Sequence, residues 1–136
     1  MPTPTDLGVG VGMLDANVID ANFTLLASGG GLSTTTGITA HAGGTQALGV
    51  ALTSTINLIT VCATGGDSVC LPSAVGGQSI FVCNAGAAAC NVFSSNASTA
   101  DTINGTIGTT AFSLGIGKNA EFISPAAGIW RVLLTA

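Results

Sequence analysis

From about residue 45 onward this chain repeats a single pattern, a short apolar run followed by turn residues. The runs are 47–52, 56–62, 68–71, 79–83, 90–93, 111–114, 120–123 and 129–134. Between them stand Gly65-Gly66, Pro72 to Gly77, Asn84-Ala85-Gly86, Asn104-Gly105, Gly115 to Asn119 and Ser124-Pro125 with Gly128. Runs this short, punctuated by glycine, proline and asparagine, read as β-strands of a sandwich or barrel. Asn104-Gly105 is a hairpin signal in its own right, because both residue types tolerate the positive φ of a type I′ turn. No window sustains a helical period with capping residues. Ile80-Phe81-Val82 and Val132-Leu133-Leu134 are apolar on consecutive positions, the mark of strands covered on both faces.

The first 40 residues have another texture. They are rich in glycine and threonine, lack sustained periodicity, and carry a short echo, Asp15-Ala16-Asn17-Val18-Ile19 followed by Asp20-Ala21-Asn22-Phe23. The expected organisation is therefore an extended arm over 1–40 and an all-β core over 41–136. That core is expected to be an antiparallel β-sandwich or jelly-roll-like barrel.

Charge then narrows the partners. The 136 residues include two basic and six acidic side chains, 6% charged against 47% hydrophobic, with a net charge of −4. An ordinary domain is about one-quarter charged, and large apolar surface on a monomer marks contact sites. A chain this neutral is expected to spend its surface on other subunits. Lys118 and Arg131 are its only cations, so it lacks the basic stripe that phosphate neutralisation requires, and nucleic acid is not an expected partner. A membrane is not expected either. The stretch between Asp20 and Asp67 has no formal charge, but its most apolar part, 47–63, is interrupted by Thr53, Ser54, Thr55, Asn57 and Thr60. The opening Met1-Pro-Thr-Pro-Thr-Asp6 has neither the basic nor the apolar region of a secretory signal. The expectation is a chain made in the cytoplasm and soluble, alone or once assembled.

Few residues offer chemistry. Cys62, Cys70, Cys83 and Cys90 are separated by 7, 12 and 6 residues, which fits no CxxC-type zinc pattern. Cys62 with Cys70, and Cys83 with Cys90, bracket turns and so suit positions across hairpins. Without an export signal they are read as reduced, small hydrophobes. His41 is the single histidine, with no GxSxG elbow and no second carboxylate near it in sequence, and is read as a hydrogen-bonding turn residue. Asp15, Asn17 and Asp20 lack the central glycine and closing glutamate of a calcium loop. They are read as turn-formers. Asn22, Asn96 and Asn104 each begin an Asn-x-Ser/Thr triplet, but nothing marks the chain for export. The glycines of 8–12 and 29–31 lack the Gly-Lys-Ser/Thr of a phosphate loop. Trp130 is read as core or interface packing with its indole N–H satisfied. No catalytic, cofactor or metal constellation is expected.

Several phrases recur in an order that resembles a group of small tailed-bacteriophage virion proteins. They are Gly37-Ile-Thr-Ala-His-Ala-Gly-Gly44 leading into Gln46-Ala-Leu48, Asp67-Ser-Val-Cys-Leu-Pro72, Val82-Cys-Asn-Ala-Gly86, Asp101-Thr-Ile-Asn-Gly105 and Gly128-Ile-Trp130. The resemblance covers roughly the last 100 residues. The four cysteines depart from it, standing where aliphatic or basic residues are expected. It carries over no catalytic residues. It implies a non-enzymatic virion protein assembled in the host cytoplasm, a capsid decoration (cement) protein that forms a homotrimer and binds the major capsid protein. The alternative is a tail or head-fibre component that binds a receptor or host surface. A carbohydrate-binding tip would need exposed aromatics, and the chain has one Trp, five Phe and no Tyr.

Overall fold

The structure is a computed structural model that describes residues 32–96 and 101–134. Among these the chain is almost entirely β. It has no α-helix, only a short 3-10 turn at Gln46–Leu48. No helix among the described residues is long and apolar enough to cross a membrane. The strands are β1 (Thr34–Thr39), β2 (Val50–Ala51), β3 (Ile56–Val61), β4 (Ser68–Cys70), β5 (Gln78–Asn84) and β6 (Cys90–Phe93). They continue with β7 (Thr102–Ile103), β8 (Thr106–Ile107), β9 (Phe112–Leu114), β10 (Asn119–Ala126) and β11 (Ile129–Leu134).

These form two mixed sheets. The larger has the order β1-β3-β5-β10-β11-β7-β8, the smaller β2-β4-β6-β9. As far as β6 the chain alternates between them. β1, β3 and β5 stack in parallel, and so do β2, β4 and β6. Ile56 lies beside Phe81 and Val69 beside Val92, so the chain returns to the same place after roughly 20–25 residues, the length of a solenoid coil. Parallel strands need a long return path. Here that path is a strand of the opposite sheet rather than a helix.

The winding ends after β6. The Asn104-Gly105 turn, with φ of 52° and 84°, joins β7 to β8 as an antiparallel pair. β9 then adds antiparallel to β6, and β10 adds antiparallel to β5 with β11 beyond it. β11 runs parallel to β7.

All eight apolar runs contain strand. Their pairing differs from the expected antiparallel sandwich. Antiparallel contacts join β5 to β10, β10 to β11, β6 to β9 and β7 to β8, whereas β1-β3-β5, β2-β4-β6 and β7-β11 are parallel. The physical reason lies in the turns. A Gly65-Gly66 turn shows where the chain bends, but β3 and β4 on either side of it belong to different sheets. Residues 34–40, placed with the arm from sequence, belong to the larger sheet. β1 pairs with β3, the Ala40 N–H donates to Val61 O at 2.8 Å, and Ile38 and Ala40 are buried. Gly37, at φ 74°, falls where the β1 register slips, so no alternation is visible in Thr34-Thr-Thr-Gly37. The compact unit begins at Ser33. The rest of the expected arm, 1–31, lies outside the described residues, as do Asp15, Asn17, Asp20, Asn22 and both glycine clusters.

The core lies between the sheets. The larger contributes Ile59, Val82, Ala120, Phe122 and Trp130; the smaller contributes Val69, Val92 and Leu114. Phe112 meets Phe122 edge-to-face, with centroids 5.6 Å apart. Each such buried aliphatic or aromatic side chain contributes about 1.5–3 kcal/mol relative to exposure.

Candidate interaction surface

Strand alternation sends every second side chain of the larger sheet away from the core. In β5, Ile80 and Val82 are buried while Phe81 is 37% exposed. In β10, Ala120, Phe122 and Ser124 point inward, leaving Glu121 and Ile123 on the outside. In β11, Trp130 is buried and Arg131 and Leu133 are exposed. In β3, Asn57 and Ile59 are buried between the partly exposed Ile56 and Leu58.

Register brings these outward residues together. One row across the sheet reads Thr34, Ile56, Phe81, Glu121, Leu133. A second row, two residues along, holds Leu58, Cys83 and Asn119, and a third on the other side holds Ser79, Ile123 and Arg131. The result is an apolar patch of Ile56, Leu58, Phe81, Cys83, Ile123 and Leu133 with one acid and one base set into it. Ser79 Oγ donates to Glu121 Oε1 at 2.6 Å, which fixes the carboxylate on the face. Of the two segments that read from sequence as doubly covered strands, 80–82 is covered on one side only by the described chain. In 132–134, Leu133 is 58% exposed on the outer side, and Leu134, paired with the inward Ala120, is 53% exposed on the other.

The remaining polar groups serve the fold. Asp67 is buried and accepts from the Ala63 and Thr64 N–H groups at 2.8 and 3.1 Å and from Thr64 Oγ1 at 2.7 Å. Those hydrogen bonds, led by the Thr64 hydroxyl, hold its carboxyl below the usual carboxylate range. Asp101 accepts from the Ala74 N–H at 3.0 Å. Asn84, buried, donates to the carbonyls of Ala88, Leu114 and Gly115 and accepts from the Gly86 N–H. Gln46 Nε2 reaches Ser94 Oγ and Ser95 O.

His41 is brought beside Ser68 and Asp67, a grouping of residue types that invites a relay reading. The geometry does not make one. His41 and Ser68 exchange backbone hydrogen bonds, and Ser68 Oγ donates to Gly43 O at 3.2 Å. The Asp67 oxygens are held by 63 and 64, and His41 Nδ1 is buried with no hydrogen-bond partner among the described residues. The expected hydrogen-bonding histidine thus acts through its backbone. Trp130 is fully buried core, as its sequence context implied, but its Nε1 finds no partner among the described residues. Asn96 is exposed, and Asn104 occupies the β7–β8 turn, its Oδ1 accepting from the Val132 N–H at 3.1 Å.

All four cysteines are free thiols. Neither hairpin pairing occurs. Instead Cys62, just after β3, lies beside Cys90, at the start of β6, with its Sγ donating to Ala89 O at 3.5 Å. Turn spacing pointed to neighbours in sequence; the winding brings together residues one coil apart. Burial pushes the Cys62 and Cys90 thiols up, and that of Cys70 up to about 11. Cys70 Sγ also donates to Gln46 O at 3.0 Å. Cys83 alone is partly exposed, and it sits on the outer face.

No group of three or more His, Cys, Asp or Glu among the described residues is placed to hold a metal. A shallow hollow of about 170 Å³ is lined by Ile103, Asn104, Thr106, Thr110, Ala111 and Phe112, none of them titratable. The outer face is therefore the strongest candidate for function. Comparison of the chain with protein-family models, curated proteins and solved structures gives no match.

Proposed function

We propose that this chain is a non-enzymatic building block of a bacteriophage particle, a capsid decoration protein that forms a trimer and binds the major capsid shell. The observation that carries the reading is the apolar outer face of the larger sheet, which the described chain leaves uncovered although the protein is poor in charge. The resemblance over Gly37 to Leu134 supports the virion setting and supplies the threefold stoichiometry. The polar side chains point the same way, because Asp67, Asp101, Asn84 and Gln46 are committed to backbone and loop groups.

The fold suits the task. We read the winding of β1 to β6 as a short β-solenoid closed by the antiparallel strands β9 to β11. Many copies, each burying apolar area on a shell, add stability by mass action without chemistry. Residues 1–32, which precede the compact unit, then supply attachment beyond the core.

The test is co-sedimentation of the purified full chain with phage shells, followed by heating of decorated and bare shells. Decoration should raise the temperature at which shells open. A chain lacking residues 1–32, which keeps β1 and the whole compact unit, should bind shells more weakly while staying folded. Binding to tail tips instead of shells, or shell binding unchanged by the deletion, refutes the reading.

A further inference from the structure

We propose that the outer face of the larger sheet, centred on Phe81, Glu121 and Leu133, is the surface by which one copy of this chain binds another. The inference rests on the reading of the chain as a self-assembling building block, but not on its attachment to a shell.

Three observations select a second copy as the occupant. First, the face is apolar at six positions on four adjacent strands, Ile56 and Leu58 of β3, Phe81 and Cys83 of β5, Ile123 of β10 and Leu133 of β11. A continuous patch of this kind is the usual centre of an interface. Second, its charges balance. Glu121 lies beside Leu133 on the neighbouring strand, and Arg131 lies beside Ile123, so acid and base are one diagonal step apart. A face holding one of each sign does not repel its own copy, and a rotated copy sets Glu121 opposite Arg131. A nucleic acid would demand a basic stripe, and a strongly basic or acidic protein would gain nothing from a neutral face. A lipid surface would have to bury the Glu121 carboxylate. Third, closed symmetric homo-oligomers are the commonest assemblies of soluble chains, and this chain itself carries the matching surface.

Turning the faces of the copies toward a common axis buries Phe81 and Leu133 at the centre and leaves the small sheet outward. Cys83, in the second row, is then covered too, and it reports on the interface without being needed for it.

The test uses the full chain in sedimentation velocity and light scattering at micromolar concentration, with circular dichroism to check folding. The wild type should run as a dimer or trimer. Phe81→Lys gives the face a net positive charge while placing the new ammonium beside Glu121 on the neighbouring strand, so the fold is retained and the species should become monomeric. Glu121→Arg and Arg131→Glu, each alone, should also give monomer, and the double variant should recover assembly because the face is neutral again. Alkylation of Cys83 should be slow in the wild type and fast in Phe81→Lys. Because each reversal is judged against the double variant, a fold failure of Phe81→Lys leaves the proposal open to refutation.

A monomeric wild type overturns the inference, and if Cys83 is nevertheless protected, residues 1–31 of the same chain cover the face. Assembly that survives every face variant also overturns it while leaving the building-block reading intact. A wild type that assembles through this face yet does not bind shells upholds the inference and refutes shell attachment instead.

Discussion

Asn84→Asp is the sharpest probe of how this winding is locked. Asn84 ends β5, is 1% exposed, and its Nδ2 lies 2.9 Å from Ala88 O, 3.0 Å from Leu114 O and 3.2 Å from Gly115 O. Its Oδ1 accepts from the Gly86 N–H at 3.0 Å. One side chain thus joins the 85–89 connection to the turn that follows β9. The substitution keeps shape and the Gly86 contact, and exchanges a donor for an acceptor aimed at three carbonyl oxygens. Each buried group left unsatisfied costs about 1–3 kcal/mol. Two good donations and a weaker third therefore put the loss at about 3–5 kcal/mol at neutral pH. A domain of this size loses about 4–8 °C in Tm per kcal/mol, so the shift should exceed about 12 °C. The introduced carboxyl is disfavoured when ionised, which raises its folded pKa above the unfolded value of about 3.9. A group with a raised folded pKa contributes its full stability below the unfolded pKa and loses it as pH rises through the folded value. The variant should therefore come closest to wild type near pH 3 to 4, where the protonated acid can donate to one carbonyl, and fall behind as pH rises. The assay is thermal melting followed by circular dichroism at fixed protein concentration across that range. A wild-type-like Tm at neutral pH, or a gap that does not widen with pH, refutes the argument.

Asp67 should behave oppositely: its folded pKa is depressed, so its contribution is complete above the unfolded pKa and is lost as pH falls through the folded value. Asp67→Asn should be less stable at neutral pH and should lose less stability on acidification, measured by melting at matched pH. Thiol titration should find Cys83 reacting first in any form that exposes the outer face, with Cys62, Cys70 and Cys90 reacting only on unfolding, because burial raises their pKa and removes the thiolate. Adding a reductant should leave Tm unchanged; a drop would reveal a disulfide, each of which is typically worth about 2–4 kcal/mol.

Much of the strand content was legible because it rests on local chemistry. Apolar runs bounded by Gly, Pro and Asn mark strands wherever they pair, and Asn104-Gly105 is a turn because of its own φ tolerance. β1 was not legible. Its burial falls on Ile38, beyond the Gly37 register slip, so Thr34-Thr-Thr36 shows no alternation. Sheet pairing was not legible either, since it depends on which run a strand meets across space. The Cys62–Cys90 contact illustrates the same limit: the spacing suggested hairpin partners, and the parallel stacking of coils set different ones.

The interaction surface stands between these cases. A charge content too low for an ordinary solvated surface is legible in the sequence, and so are the consecutive apolar positions at 80–82 and 132–134 that read as strands covered on both sides. The sequence could not say that those two segments lie on one face, because β5 and β11 are not neighbours. β10 stands between them and supplies the link, pairing Glu121 with Phe81 on one side and Leu133 on the other. That placement turns separate apolar residues into one patch with a carboxylate at its centre. A lone exposed Leu or Phe is ordinary on a protein surface. Six apolar side chains in adjoining rows around a fixed Glu121 are the feature on which the proposed self-association rests, and the neutrality of the face is what favours a second copy as its cover.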